Sequence, residues 1–182
     1  MFIDRSAIRQ LGFSLIEAVV FIAVLGVGLS GVLLAINTAT RDSVDPVIRK
    51  QALAIAESLL EEVGSMPYTY CDPDDPLAAT AANAAACTVA EAMGPEAGET
   101  RYSNVTPFDN VNDYNGFSMN PIVDLSNAAI TGLGGYTATV AITPAVLNGA
   151  TALLVSVSVT GPRNTLVVVE GYRTQYAPNA VP

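Results

Sequence analysis

Gly12-Phe13-Ser14-Leu15-Ile16-Glu17, followed by AVVFIAVLGVGLSGVLLAINTAT over residues 18–40, decides how this chain is organised. Glu17 is the only charged residue between Arg9 and Arg41, and residues 18–36 are apolar apart from Ser30 and the glycines. At about 1.5 Å rise per residue, a helix of this length crosses a hydrocarbon core of about 30 Å. A carboxylate at that depth costs roughly 2.5–3.5 kcal/mol on insertion scales, so Glu17 is expected to have a partner and a purpose.

The flanks of the run set its expected orientation. Arg5 and Arg9 precede it and an acidic remainder follows; of the net charge of −9, residues 1–12 contribute +1 and residues 13–182 contribute −10. The positive-inside rule then leaves the N-terminus cytoplasmic and exports the rest, with Arg41 mildly opposing. The 182 residues leave room for one globular domain beside the span. Its acidity speaks against nucleic acid or anionic lipid as partners of that domain. Cys71 and Cys87 fall in the exported part, where a disulfide persists. They are expected to bridge, closing a loop worth about 3 kcal/mol in chain entropy; a free buried pair is the alternative.

A cleavable secretory signal would place small residues after the apolar run, and Asn37-Thr38-Ala39 matches that pattern poorly. The Gly12–Phe13 junction instead lies before the run. Here the chain resembles the type IV prepilin family, whose pattern is a short basic leader ending in glycine, an aromatic residue, Ser or Thr, Leu, a branched apolar residue and glutamate. Gly12, Phe13, Ser14, Leu15, Ile16 and Glu17 supply each position. The resemblance implies a leader over residues 1–12, cut between Gly12 and Phe13 by a prepilin peptidase that also N-methylates Phe13. It implies that Glu17 pairs with the terminal amine of a neighbouring pilin subunit when helices bundle into a filament. An amine and a carboxylate, each costly alone in lipid, offset one another's desolvation when held together. Many major pilins carry a proline along the apolar helix; this run has Gly26, Gly28, Ser30 and Gly31 instead, small residues that permit close helix packing.

Beyond the span, Asp45-Pro46 reads as a fresh helix start or a kink. Ile48, Ala52, Ala56, Leu59 and Val63 then recur at spacings of four, four, three and four, the apolar face of an amphipathic helix. Leu53 and Leu60 widen that stripe, and Arg49, Lys50, Glu57, Glu61 and Glu62 take the other side. Gly64 and Pro67 end it. The expected organisation is thus a polymerisation and membrane helix over residues 13–40, its amphipathic continuation over 41–64, and a head over 65–182.

Residues 65–135 read as irregular, with alanine-rich 78–93 able to form a short helix. Asp109-Asn110-Val111-Asn112-Asp113-Tyr114-Asn115-Gly116 offers the oxygen donors calcium prefers, but its spacing misses the D-x-[DN]-x-[DN]-G pattern. An Asx-rich turn is the expectation there, with no metal and no cofactor. Strands are legible at 136–143, 152–160 and 166–174, with turns at Asn148-Gly149 and Gly161-Pro162-Arg163-Asn164. Together these predict an α+β fold: a long N-terminal helix packed on a small antiparallel sheet near 136–174.

The stretches Gln51-Ala52-Leu53-Ala54-Ile55-Ala56-Glu57-Ser58-Leu59-Leu60-Glu61-Glu62, Phe108 to Gly116 and Glu170-Gly171-Tyr172-Arg173 are similar to the minor pilins of mannose-sensitive haemagglutinin-type pili. That similarity implies a subunit that primes or joins a pilus, located first in the inner membrane and then in the pilus. A minor pseudopilin of a type II secretion system shares the same N-terminus and is the alternative; a membrane-anchored periplasmic binding module is the alternative of another class. An enzyme is not expected. The chain has no histidine, and no G-x-S-x-G, P-loop or G-x-G-x-x-G motif.

Overall fold

Helix α1 (Leu15–Ser65) runs for 51 residues with Pro46 inside it. The structure, a computed structural model, describes residues 14–180, without the side chains of 38–45. Gly12 and Phe13 lie outside the described residues. By its contacts the chain divides into two units, Met1–Val44 and Asp45–Pro182. The division falls just before Asp45-Pro46, where a fresh start or kink is expected; the helix nonetheless continues past Pro46, whose missing N–H leaves one helical bond unmade.

In the first unit, Leu15–Asn37 form a stretch of 23 residues with mean hydropathy 2.8, none of it buried within the chain. It is long and apolar enough to span a membrane. The Ser30 hydroxyl donates to the Gly26 and Val27 carbonyls at 2.8 and 3.0 Å, so its polar group is satisfied inside the helix.

The second unit has the expected α+β layout. Its sheet is a meander of four antiparallel strands in the order β1 (Ser118–Met119), β2 (Thr137–Leu147), β3 (Ala150–Gly161) and β4 (Thr165–Thr174). The three expected strands are all present and each is slightly longer than its sequence pattern indicates. Beyond the alternating stretches, ladder bonds continue to the turns, as in the pairing of Leu147 with Ala150. Asn148 and Gly149 both take positive φ, 51° and 85°, the two-residue turn whose twist suits a hairpin. The short β1 was not legible, since two residues show no alternation.

Period-two alternation decides which face of the sheet is buried. Leu153, Val155, Val157 and Val159 of β3 turn inward, with Ala138, Val140 and Ile142 of β2 beside them. Ile48, Ala52, Ile55, Ala56, Leu59 and Val63 of α1 share one core with that face. Each large apolar side chain so buried contributes about 1.5–3 kcal/mol. Two details correct the expected stripe: Leu53 is exposed, and Ile55 takes the inward place. Helix and sheet approach closely where β4 carries Gly171, because a Cβ there would meet Leu60 at 3.3 Å.

Residues 66–117 carry little regular structure. The alanine-rich segment holds only a 3-10 turn, Ala84–Ala86, not the short helix its composition allows. Asn83 caps that turn and Cys87 ends it, and Cys87 is bonded to Cys71. The bridge closes residues 71–87, and with them most of the segment, into a loop, and Cys71, Ala78 and Ala81 form a small core of their own. Asp75 accepts from the backbone amides of Val89 and Leu77, which hold its carboxyl below the usual carboxylate range and stitch the loop across its mouth.

Candidate functional site

Two acids on one helix face opposite conditions. Glu17 lies in the first turn of α1, on an exposed apolar surface, and among the described residues no ion pair involves it. The amides of Glu17 and Ala18 donate to the Ser14 carbonyl at 3.1 Å each, so the backbone there is committed while the carboxylate projects outward. Of the predicted processing and assembly residues, Glu17 alone is described. The expected bridge between Cys71 and Cys87 is present.

Glu62, at the other end of α1, was expected on the solvent side. It faces inward instead. Arg101 donates to it through Nε at 2.6 Å and through Nη2 at 2.7 Å, the fork that matches a carboxylate. The Tyr114 hydroxyl adds a third bond at 2.8 Å, and the Arg101 side chain is only 6% exposed. Burial first, then the negative charge of Glu62, pushes the Tyr114 phenol upward, so it stays a donor. Helical periodicity gave no warning, because Arg101 comes from a loop 39 residues away. Between α1 and residues 119–133 lies an apolar cleft of about 660 Å³, with Ile55, Leu59, Ile122 and Leu133 in its walls and Arg101 and Glu62 at its edge.

The head also gathers carboxylates that sequence spacing leaves far apart. Glu91, Glu96 and Asp113 each bring an oxygen within 4.8 Å of the others, and so do Asp72, Glu99 and Asp109. Asp113 is held by the 3-10 turn Val111–Tyr114: Asn110 caps it, and Asp113 Oδ2 accepts from the amides of Asp109 and Asn110 at 3.0 and 2.7 Å. The expected Asx-rich turn is therefore present. Its other oxygen, Asp113 Oδ1, is buried, and among the described residues no donor reaches it. The same is true of both Glu91 oxygens.

Like charges in a poorly solvated place resist ionisation. Burial first, then Asp113, Glu96, Asp72 and Asp109, push Glu91 up to about 9. Burial and Asp113 push Glu99 to about 8. Burial raises Asp113 to about 7 against the two amides that favour its anion, and burial with Asp72, Asp74 and Glu96 raises Asp109 to about 6. No lysine or arginine among the described residues pairs with any of the six. Of this cluster, spacing within 109–116 marked only Asp109 and Asp113; the other four come from loops with no recognisable pattern.

No protein-family model matches this chain, and no curated protein or solved structure is significantly similar to it.

Proposed function

We propose that the chain is a minor pilin precursor, a structural subunit of a type IV pilus of the mannose-sensitive haemagglutinin type, and not an enzyme. One observation carries this reading: a predominantly apolar helical stretch of 23 residues, Leu15–Asn37, that the described residues leave uncovered, with one carboxylate in its first turn. Such a surface needs lipid before assembly and neighbouring helices after it. Van der Waals packing and a polar contact then replace lipid, and the small residues Gly26, Gly28 and Gly31 have open space around them. A terminal amine at Phe13 of the next subunit is the counter-charge that Glu17 lacks among the described residues. The prepilin pattern at residues 12–17 supports this pairing and the processing step that would create the amine.

The proposal is tested by mass spectrometry and N-terminal sequencing of the protein from filaments sheared off cells. A chain starting at N-methylated Phe13 is expected. A chain retaining residues 1–12 in cells with an active prepilin peptidase contradicts the proposal, and recovery with a secretion complex but never with a pilus favours the pseudopilin alternative.

A further inference from the structure

We propose that the head binds a calcium ion through Glu91, Glu96 and Asp113, with Asp72, Glu99 and Asp109 as a flanking ring of carboxylates. Geometry is the first support. Calcium takes oxygens at about 2.3–2.6 Å, so two ligands of one ion lie at most about 5 Å apart. Glu91, Glu96 and Asp113 meet that limit, each oxygen within 4.8 Å of the others. The second support does not depend on the residues being acidic. Asp113 is 1% exposed, its Oδ1 turned away from the amides that hold Oδ2, and no donor among the described residues reaches it. Both oxygens of Glu91 are shielded from solvent and without donors as well. Buried polar atoms are almost always satisfied, and leaving one unpaired costs about 1–3 kcal/mol, more when it is charged. Two residues of one carboxylate cluster, Glu91 and Asp113, thus carry buried oxygens without donors, and a cation shared with Glu96 would satisfy them.

The donor chemistry selects the ion. Every donor is a carboxylate oxygen, the chain has no histidine, and both cysteines are consumed in the bridge. Zinc, copper and nickel prefer nitrogen or sulfur, so a hard cation is left. Magnesium demands near-ideal octahedral geometry at about 2.0–2.1 Å and keeps much of its water. Ligands on separate irregular segments with a buried, dry carboxylate pair fit calcium better. The ion would tie residues 91–96 to the turn at 111–114, and the flanking ring would draw in the disulfide loop through Asp72. In a region without sheet or long helix, it acts as a clamp.

Calorimetric titration of calcium into the full-length protein in detergent, alongside thermal unfolding with and without millimolar calcium, tests the site. Saturable binding is expected, with a Tm rise of roughly 5–10 °C when calcium exceeds its Kd about a hundredfold. Glu91→Gln combined with Asp113→Asn is expected to remove both signals while the protein still unfolds cooperatively. Glu96→Gln alone, a milder change that leaves the buried pair in place, is expected to weaken binding at least roughly tenfold. Absence of saturable binding by the parent protein, unchanged affinity in these variants, or magnesium binding as tightly as calcium would overturn the proposal.

Discussion

Glu17 and Glu62 sit on the same helix, yet their surroundings differ in a way that divides the molecule. Glu62 finds two cationic nitrogens and a phenol within its own chain, on the part of the helix whose apolar face, from Ile48 to Val63, is buried against a sheet. Glu17 stands at the start of a predominantly apolar helical stretch that no described residue covers. A one-sided apolar stripe is satisfied by folding; an apolar surface all around is satisfied only by something outside the chain. Glu62 is therefore a fold determinant, whereas under the proposed function Glu17 is an assembly determinant, and substitutions separate the two.

Breaking the inner pair has the largest expected effect on stability. Arg101→Met strands a largely buried Glu62 and should cost about 3 kcal/mol in urea unfolding, whereas Arg101→Met with Glu62→Met should recover most of that loss. A recovery of less than half would mean that Tyr114 and the cleft, not the ion pair, hold this corner. Cys71→Ser with Cys87→Ser comes next, at about 3 kcal/mol by loop closure, measured as the shift in unfolding midpoint between the parent and the variant under oxidising conditions. Gly161→Ala should cost about 1–3 kcal/mol. A Cβ there would meet the Tyr136 ring at 2.6 Å, and that ring is fixed because its hydroxyl donates to Gln51 on α1 at 2.7 Å. Equal stability of the alanine variant would show that the ring has room to move.

A pH series sharpens the comparison further. The carboxyls of Asp109, Asp113, Glu99 and Glu91 are raised to about 6, 7, 8 and 9 in the folded head. Groups raised on folding stabilise fully below their unfolded values, near 4, and lose that contribution as pH climbs through the folded ones. In chelator the unfolding midpoint should therefore fall between pH 6 and pH 9, and a midpoint that rises over this window would contradict the buried cluster. Glu17→Leu has the smallest expected effect on folding, under about 0.5 kcal/mol, because its side chain is exposed and no ion pair among the described residues involves it.

The sheet and the amphipathic half of α1 were legible because periodicity reports burial directly: Leu153, Val155, Val157 and Val159 alternate, and Ala52, Ala56, Leu59 and Val63 recur with the helix turn. The alternation stops short of the strand ends, where backbone pairing alone carries Ala145 to Leu147. The inward turn of Glu62 was not legible, since an acid at a flanking position looks solvated until a loop arginine arrives. The carboxylate cluster was hidden for a related reason. Asp72, Glu91, Glu96 and Glu99 occupy irregular segments, and the disulfide, the Asp75 bonds and the Asn110 cap that hold parts of this region leave no periodic trace. The alanine-rich 78–93 stretch shows the converse: helix propensity is weak against a covalent tether and a capped turn.

Quantifying parent and Glu17→Leu protein in sheared filaments and in the membrane fraction tests the central claim most directly. The parent is predicted in the filaments, with the variant depleted there roughly tenfold or more, the equivalent of about 1.4 kcal/mol, while its head keeps the parent's unfolding midpoint. Equal recovery of the two proteins from filaments, or a parent that never leaves the membrane fraction, would contradict it.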